Sequence, residues 1–420
     1  MNYFFKPGII PVLVVILAFI LIVGVIPVKG ETYNWNRWKG PGQNGISDES
    51  EWDPACLKRP LQVNWKINVG AGFSNVAIMG DYLYTMGFNK KRKENVIFCL
   101  AVKTGKEVWK YSYKATTGRF EGPRCGPVID EGLVYTFSQD ADFVCNDAKT
   151  GKLVWRVNAV DTYGAVSPKW QFASSVCIEG NIAMVNACQS GLALDKKTGE
   201  VIWKSDPGPG NYASPVTYKA KGQTYAAIYG KTHLHSINVK DGTIEWSFPW
   251  STTYSIIAAD PNIYGDKVFI STGYENGCTL IDIKRGRPVQ LWRNKDLSTH
   301  FSTAVIIDGF IYGIDGNAGT DAYLKCLDLK NGSVRWSKEL GCGNMIAANG
   351  YLIMINEKGS LFIVEATPAA YKEISRKENI LARRCWTAPV LCRSTLYLRN
   401  EQGDLISIDV GKKKKASKKE

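Results

Sequence analysis

The stretch Ala193-Leu194-Asp195-Lys196-Lys197-Thr198-Gly199-Glu200-Val201-Ile202-Trp203 recurs in altered form along most of the chain. Its central element, a Thr-Gly pair with a tryptophan four residues after the glycine, stands also at Thr104-Gly105-Lys106-Glu107-Val108-Trp109 and at Thr150-Gly151-Lys152-Leu153-Val154-Trp155. Looser copies run over Asp241-Gly242-Thr243-Ile244-Glu245-Trp246, the expanded Gly286-Arg287-Pro288-Val289-Gln290-Leu291-Trp292, and Asn331-Gly332-Ser333-Val334-Arg335-Trp336. Counted from Trp65, the tryptophans advance by 44, 46, 48, 43, 46 and 44 residues. That is the period of one four-stranded propeller blade, and no helical repeat reads this way.

Within each period the pattern is that of strands. Short apolar or alternating runs such as Val134-Tyr135-Thr136-Phe137 are broken by Gly, Asn and Asp pairs that make hairpin turns. The motif glycine supplies the positive φ of a tight turn between third and fourth strands, and the tryptophan falls in the outer strand, where it can wedge between blades. A seventh repeat spans about Gly343 to Ser375, with Ile374 near the tryptophan position, and an eighth runs from Cys385 to Val410, one strand short. The orphan strand Gln62-Val63-Asn64-Trp65-Lys66-Ile67 has the outer-strand pattern without preceding partners. Joining the two ends gives an all-β, eight-bladed propeller of four antiparallel strands per blade, with its ring closed by an N-terminal strand and no open edge in the circle.

Composition agrees. Of 420 residues, 45% are hydrophobic and 11% aromatic, with 40 glycines and 13 tryptophans, far from a disordered signature. The net charge of +13 raises nucleic acid as a partner, but six lysines among residues 412–420, offset by Glu420 alone, place +5 of it in a terminal tail that reads as solvated. Ile9 to Val28 is an almost unbroken apolar run after Lys6, long enough for a helix to span a bilayer, so the propeller is expected to be exported to the periplasm or cell envelope. Residues 1–30 thus read as signal peptide or retained anchor, 31–60 as a lead-in, 61–411 as the propeller and 412–420 as the basic tail. The eleven cysteines form neither adjacent pairs nor C-x-x-C, so neither a zinc site nor a disulfide framework is signalled. Cys99, Cys145 and Cys326 each lie six residues before a repeat glycine, where other repeats carry Ala193 or Ser236; that position wants a small side chain.

The repeat resembles the pyrrolo-quinoline-quinone (PQQ) repeat, roughly Ala-Leu-Asp-x-x-Thr-Gly-x-x-x-Trp, which Ala193 to Trp203 match almost letter for letter. The resemblance covers about residues 35 to 410. Trp35-Asn36-Arg37-Trp38-Lys39-Gly40-Pro41 and Asn44-Gly45-Ile46-Ser47 resemble the lead-in of many bacterial members. The family implies two kinds of protein: quinoprotein dehydrogenases that bind PQQ and calcium, and non-catalytic envelope propellers similar to the outer-membrane assembly component BamB. The dehydrogenase kind implies a pair of adjacent cysteines, a calcium held by Glu, Asn and Asp oxygens and an aspartate base. Adjacent cysteines are absent here, and so is a lipid-anchor cysteine at the end of the apolar run.

Asp315-Gly316-Asn317-Ala318-Gly319-Thr320-Asp321 offers the best local candidate for calcium through Asp315, Asn317 and Asp321, but lacks the acidic density and terminal Glu of an EF-hand loop and reads as a hairpin turn in the sixth blade. His233 and His235 alternate on one strand face without an obvious third ligand, and with His300 they complete the histidines of the chain. Aligning first strands on Val128, Val176, Val216, Val305 and Val390 brings Arg124, Phe172, Tyr212, Phe301 and Trp386 into one ring at the channel mouth. Such a ring would stack on a sugar, a quinone or a partner side chain, or else fill the channel. The sequence therefore leads to a monomeric, non-catalytic binding or scaffolding propeller for an envelope protein or polysaccharide, without nucleic acid and without cofactor. A PQQ- and calcium-dependent dehydrogenase and a carbohydrate-binding propeller stand as alternatives.

Overall fold

A tryptophan placed in the outermost strand of a blade is only half covered by its own sheet, and its indole must find the next blade. In the computed structural model, which describes Met1 and residues 33–413, this is what the repeat achieves. Trp65, Trp109, Trp155 and Trp203 lie against Gly105, Gly151, Gly199 and Gly242 of the following blade's last turn. Each indole N–H donates to a backbone carbonyl there, of Val102, Ala148, Lys196 and Val239, at 2.7–3.0 Å. Opposite the indole across the sheet stands the small residue of its own repeat, as in Cys99 to Trp109, Cys145 to Trp155 and Cys326 to Trp336, except in blade five, where Leu280 faces Trp292.

Eight four-stranded antiparallel sheets follow, with strands in sequence order from the axis outwards, over residues 77–114, 128–158, 177–204, 216–249, 262–294, 305–339, 343–377 and 390–409. The last completes itself with Gln62–Asn68, which pairs antiparallel with Asp404–Asp409. The closure is reinforced by Arg399 of blade eight. Its guanidinium is buried and donates to the carbonyls of Ser74, Met86 and Gly70 and to the Thr85 hydroxyl, all in or beside blade one. In blade seven the register puts Ser375, not Ile374, in the tryptophan position. The bulge that precedes each tryptophan absorbs Ile374 instead, and the lead-in fills the gap with Trp52, edge-on to Tyr351 at 5.8 Å, and with Cys56 and Leu57.

The lead-in is a strap across one end of the channel. Residues 33–59 reach every blade: Trp35 pairs with Ile78, Asn36 with Ile129, Arg37 with the Ile178 carbonyl, and Gln43 with the Thr217 N–H. Lys39 meets Asn262 and Gly45 abuts Val305. Ile46–Ser47 pairs in parallel with Gly343–Ala348, and the Glu49 carboxylate accepts from the N–H groups of Arg393 and Ser394. The apolar run 9–28 lies outside the described residues, as does the tail from 414 on. Among the described residues no helix is long and apolar enough to cross a membrane.

Candidate functional site at the channel mouth

The inner strands end at the strap; their N-terminal ends point the other way, to the open mouth. The ladder that starts at each tryptophan fixes which mouth residues are equivalent. Trp155 leads through Cys145 and Tyr135 to Val128, while Trp203 leads through Ala193 and Met184 to Cys177, one residue beyond Val176. Four places ahead of these inner-strand positions stand Phe73, Arg124, Ala173, Tyr212, Ala258, Phe301, Cys342 and Trp386. Of the ring expected from the sequence, Arg124, Tyr212, Phe301 and Trp386 therefore line the mouth together. Phe172 does not. A register shift of one turns a strand-end side chain to the other face, and Phe172 is buried between blades, edge-on to Phe137 at 5.3 Å; Ala173 takes the ring position.

The cavity these residues open into has a volume of about 870 Å³, within the range of small-molecule sites. Strap residue Trp38 is part of its lining and donates its indole N–H to Asp260 at 2.6 Å, so the cavity is floored. Its wall is a continuous aromatic succession. Trp170 meets Phe120 at 5.8 Å, Phe120 meets Trp386 at 5.5 Å, and Trp386 meets both Phe73 at 5.3 Å and Phe301 at 5.0 Å. Phe301 continues to His300 at 4.9 Å, His300 to Tyr274 at 5.2 Å and Tyr274 to the exposed Tyr254 at 5.0 Å. All of these lie in loops between strands. Phe301 and Trp386 hold ring positions that the repeat register reveals, and Phe73 follows once Ala77 is aligned with the valines; Phe120, Trp170, Tyr254, Tyr274 and His300 carry no register.

His300 is held neutral: the Ala318 N–H donates to Nδ1, Nε2 faces the Tyr274 hydroxyl at 3.1 Å, and burial pushes its pKa down to about 4. Four arginines border the aromatic wall. Arg119 lies over Phe120 and Trp170, and Arg384 over Phe120 and Trp386. The carboxylates of the lining are all committed. Asp260 also accepts from the Ser214 N–H at 2.7 Å, Glu357 pairs with Arg383 and the Trp386 indole at 3.3 Å each, and Glu401 pairs with Arg384 at 3.1 Å.

The loop singled out for calcium joins the second and third strands of blade six. Asp315 accepts from the Ser298 N–H at 2.6 Å and pairs with Lys325 at 2.7 Å, while Asn317 accepts from the Tyr274 N–H. Asp321 is exposed. His233 and His235 stack at 5.8 Å on the third strand of blade four, each bonded to a neighbouring hydroxyl. Among the described residues no group of three or more His, Cys, Asp or Glu side chains is placed to hold a metal.

Fold, repeat ladder and strap together define an eight-bladed PQQ-like repeat propeller with one end of its channel strapped and the other open. The chain belongs to the family described as outer membrane protein assembly factor BamB, whose family model matches residues 62–338. A BamB of Moranella endobia is 22% identical over 73% of this chain and 81% of its own length. Among solved structures, BamB of Moraxella catarrhalis superposes with a TM-score of 0.62 at 15% identity, covering 83% of this chain and 100% of that one. Quinohemoprotein alcohol dehydrogenase of Comamonas testosteroni superposes with a TM-score of 0.67 at 11% identity, covering 91% and 81%. At such identities these structures share the fold, on which both kinds of protein are built.

Proposed function

We propose that this protein is a non-catalytic binding propeller of the cell envelope, which engages its partner through the loops and aromatic wall of the open mouth. The observation that carries the reading is the state of the mouth's ionisable groups. A catalytic site needs a carboxylate, imidazole or thiolate free to accept or donate a proton; here Asp260, Glu357 and Glu401 are each tied to fixed donors, and His300 is bonded at both ring nitrogens. Nor do these residues fit the calcium that a quinoprotein dehydrogenase holds. That ion takes 6–8 oxygen ligands including carboxylates, and every lining carboxylate already faces an arginine, or indole and backbone N–H donors. The BamB relatives, named as outer membrane assembly factors, support an envelope role, and the expected export through residues 9–28 agrees with it.

Calorimetric titration of the full-length chain with PQQ, with and without calcium, followed by dye reduction on simple alcohols, tests the reading. No calcium-dependent binding and no turnover are expected. Calcium-dependent binding accompanied by turnover would replace it with a dehydrogenase.

A further inference from the structure

We infer that the ligand of the mouth is an acidic saccharide, a carboxylated or sulfated chain end held between the aromatic wall and the guanidinium groups of Arg119 and Arg124. The inference rests on the binding reading above and names its ligand.

The first argument is charge. Of the four arginines in the lining, Arg383 and Arg384 are paired with Glu357 and Glu401. Arg119 and Arg124 have no carboxylate within ion-pair distance among the described residues. Arg124 is the more telling. Its Nη2 donates to the Phe120 carbonyl at 2.8 Å and faces Gln171 at 3.4 Å, but its Nη1 is buried without any hydrogen-bond partner. A guanidinium held in a protein wall without an ion-pair partner is costly; burial lowers its pKa to about 10 against the pull of the more distant Asp140, so at neutral pH it stays charged. An anion in the cavity would offset that cost.

Shape supplies the second argument. The cavity is floored by Trp38 and Asp260, so it admits a chain end or short oligomer and cannot thread a polymer. The third is the chemistry of the wall. An extended peptide recognised by strand addition needs a free strand edge, whereas the wall is made of loop-borne ring faces. Ring faces accept the flat C–H surface of a sugar without demanding a backbone register, and the arginines then select the acidic rings.

The test is calorimetry of the full-length chain against four probes: trigalacturonate, a sulfated trisaccharide, a neutral trihexose and triglutamate. Binding of one or both acidic trisaccharides is expected, weakened about tenfold by Arg119→Gln, the cost of losing one charge-assisted hydrogen bond, and weakened also by Arg124→Gln, which removes the positive charge behind the wall. Arg119 is exposed, so its variant folds. The carboxylated and sulfated arms identify the source of the anion. Equal binding of the neutral trimer, unmoved by either substitution, would overturn the acidic preference; equal binding of triglutamate would overturn the saccharide and point to a protein. Binding of no probe would overturn the inference and leave the mouth reading to the quinone titration.

Discussion

Gly151 shows how one residue sets a blade-to-blade joint. It sits at φ +72° in the turn before the outer strand, and a Cβ built there would stand 2.6 Å from two ring carbons of Trp109. Gly151→Ala therefore carries two separable costs: about 1–2 kcal/mol for an L-residue held in the left-handed region, and a clash that must push the indole off its carbonyl partner at Ala148. Trp109→Ala should cost about 3–5 kcal/mol by itself, as large-to-small changes at buried aromatics do. In the double variant the clash term vanishes while the dihedral term stays. A double-mutant cycle read by urea unfolding should thus show the pair less destabilised than the sum of the singles, whereas strict additivity would mean that glycine and indole do not touch. This joint was legible in the sequence because both members recur at fixed spacing. Phe172 was misread at the same scale: Val176 and Cys177 are both apolar and adjacent, and only the ladder distinguishes which of them opposes Met184.

At the scale of the element, the strand Gln62–Asn68 and the strap that precedes it close the ring. Removing residues 62–68 strips the partner from Asp404–Asp409 and leaves the indole-binding turn around Gly105 without Trp65. It also leaves Arg399 to hold blade eight to blade one without the closing strand beside it. Thermal unfolding of the deletion should lose cooperativity or shift to a sharply lower midpoint, and an unchanged melt would refute the closure. The closing strand could be read from the sequence, since an outer-strand pattern without predecessors has one place to go. The strap could not be, beyond its being a lead-in. It meets each of the eight blades through one or two hydrogen bonds or a packing contact, with no periodicity and almost no strand of its own, and Trp52, Cys56 and Leu57 substitute for a tryptophan that blade seven lacks. The mouth was half legible for the same reason: ring positions tied to the repeat were found, while Phe120, Trp170 and Tyr274 in the connecting loops carry no register.

Over the whole molecule the buried cysteines, three of them opposite an indole, have a consequence in pH. All eleven cysteines are buried and unpaired, and burial raises their pKa, with Cys99, Cys125, Cys145, Cys278 and Cys342 each pushed up to about 12. The unfolded thiol ionises near 9.0. Between the two values the native state holds protons that the unfolded state has released, so stability is fully present below pH 9 and falls as pH rises, by about 1.4 kcal/mol per pH unit for each thiol. Three buried bases act in the opposite sense: Lys39, lowered to about 8, Arg399, to about 9, and Arg124, to about 10. Each binds its proton more weakly when folded and gains stability as pH rises through the same window. The buried tyrosines, Tyr84, Tyr113, Tyr135 and Tyr229 among them, are raised by burial as well and act with the thiols above pH 10, so thiols and phenols outweigh the three bases and stability should fall as pH climbs above 9. Circular dichroism melts in reductant from pH 7 to 11 should show the midpoint flat to 9 and then collapsing. Replacing Cys99 or Cys145 by alanine, the residue that blade three already uses at this place, should soften the collapse by about one thiol's share. A midpoint unmoved to pH 11 would mean that the thiols are open to solvent, and with them the joints between blades.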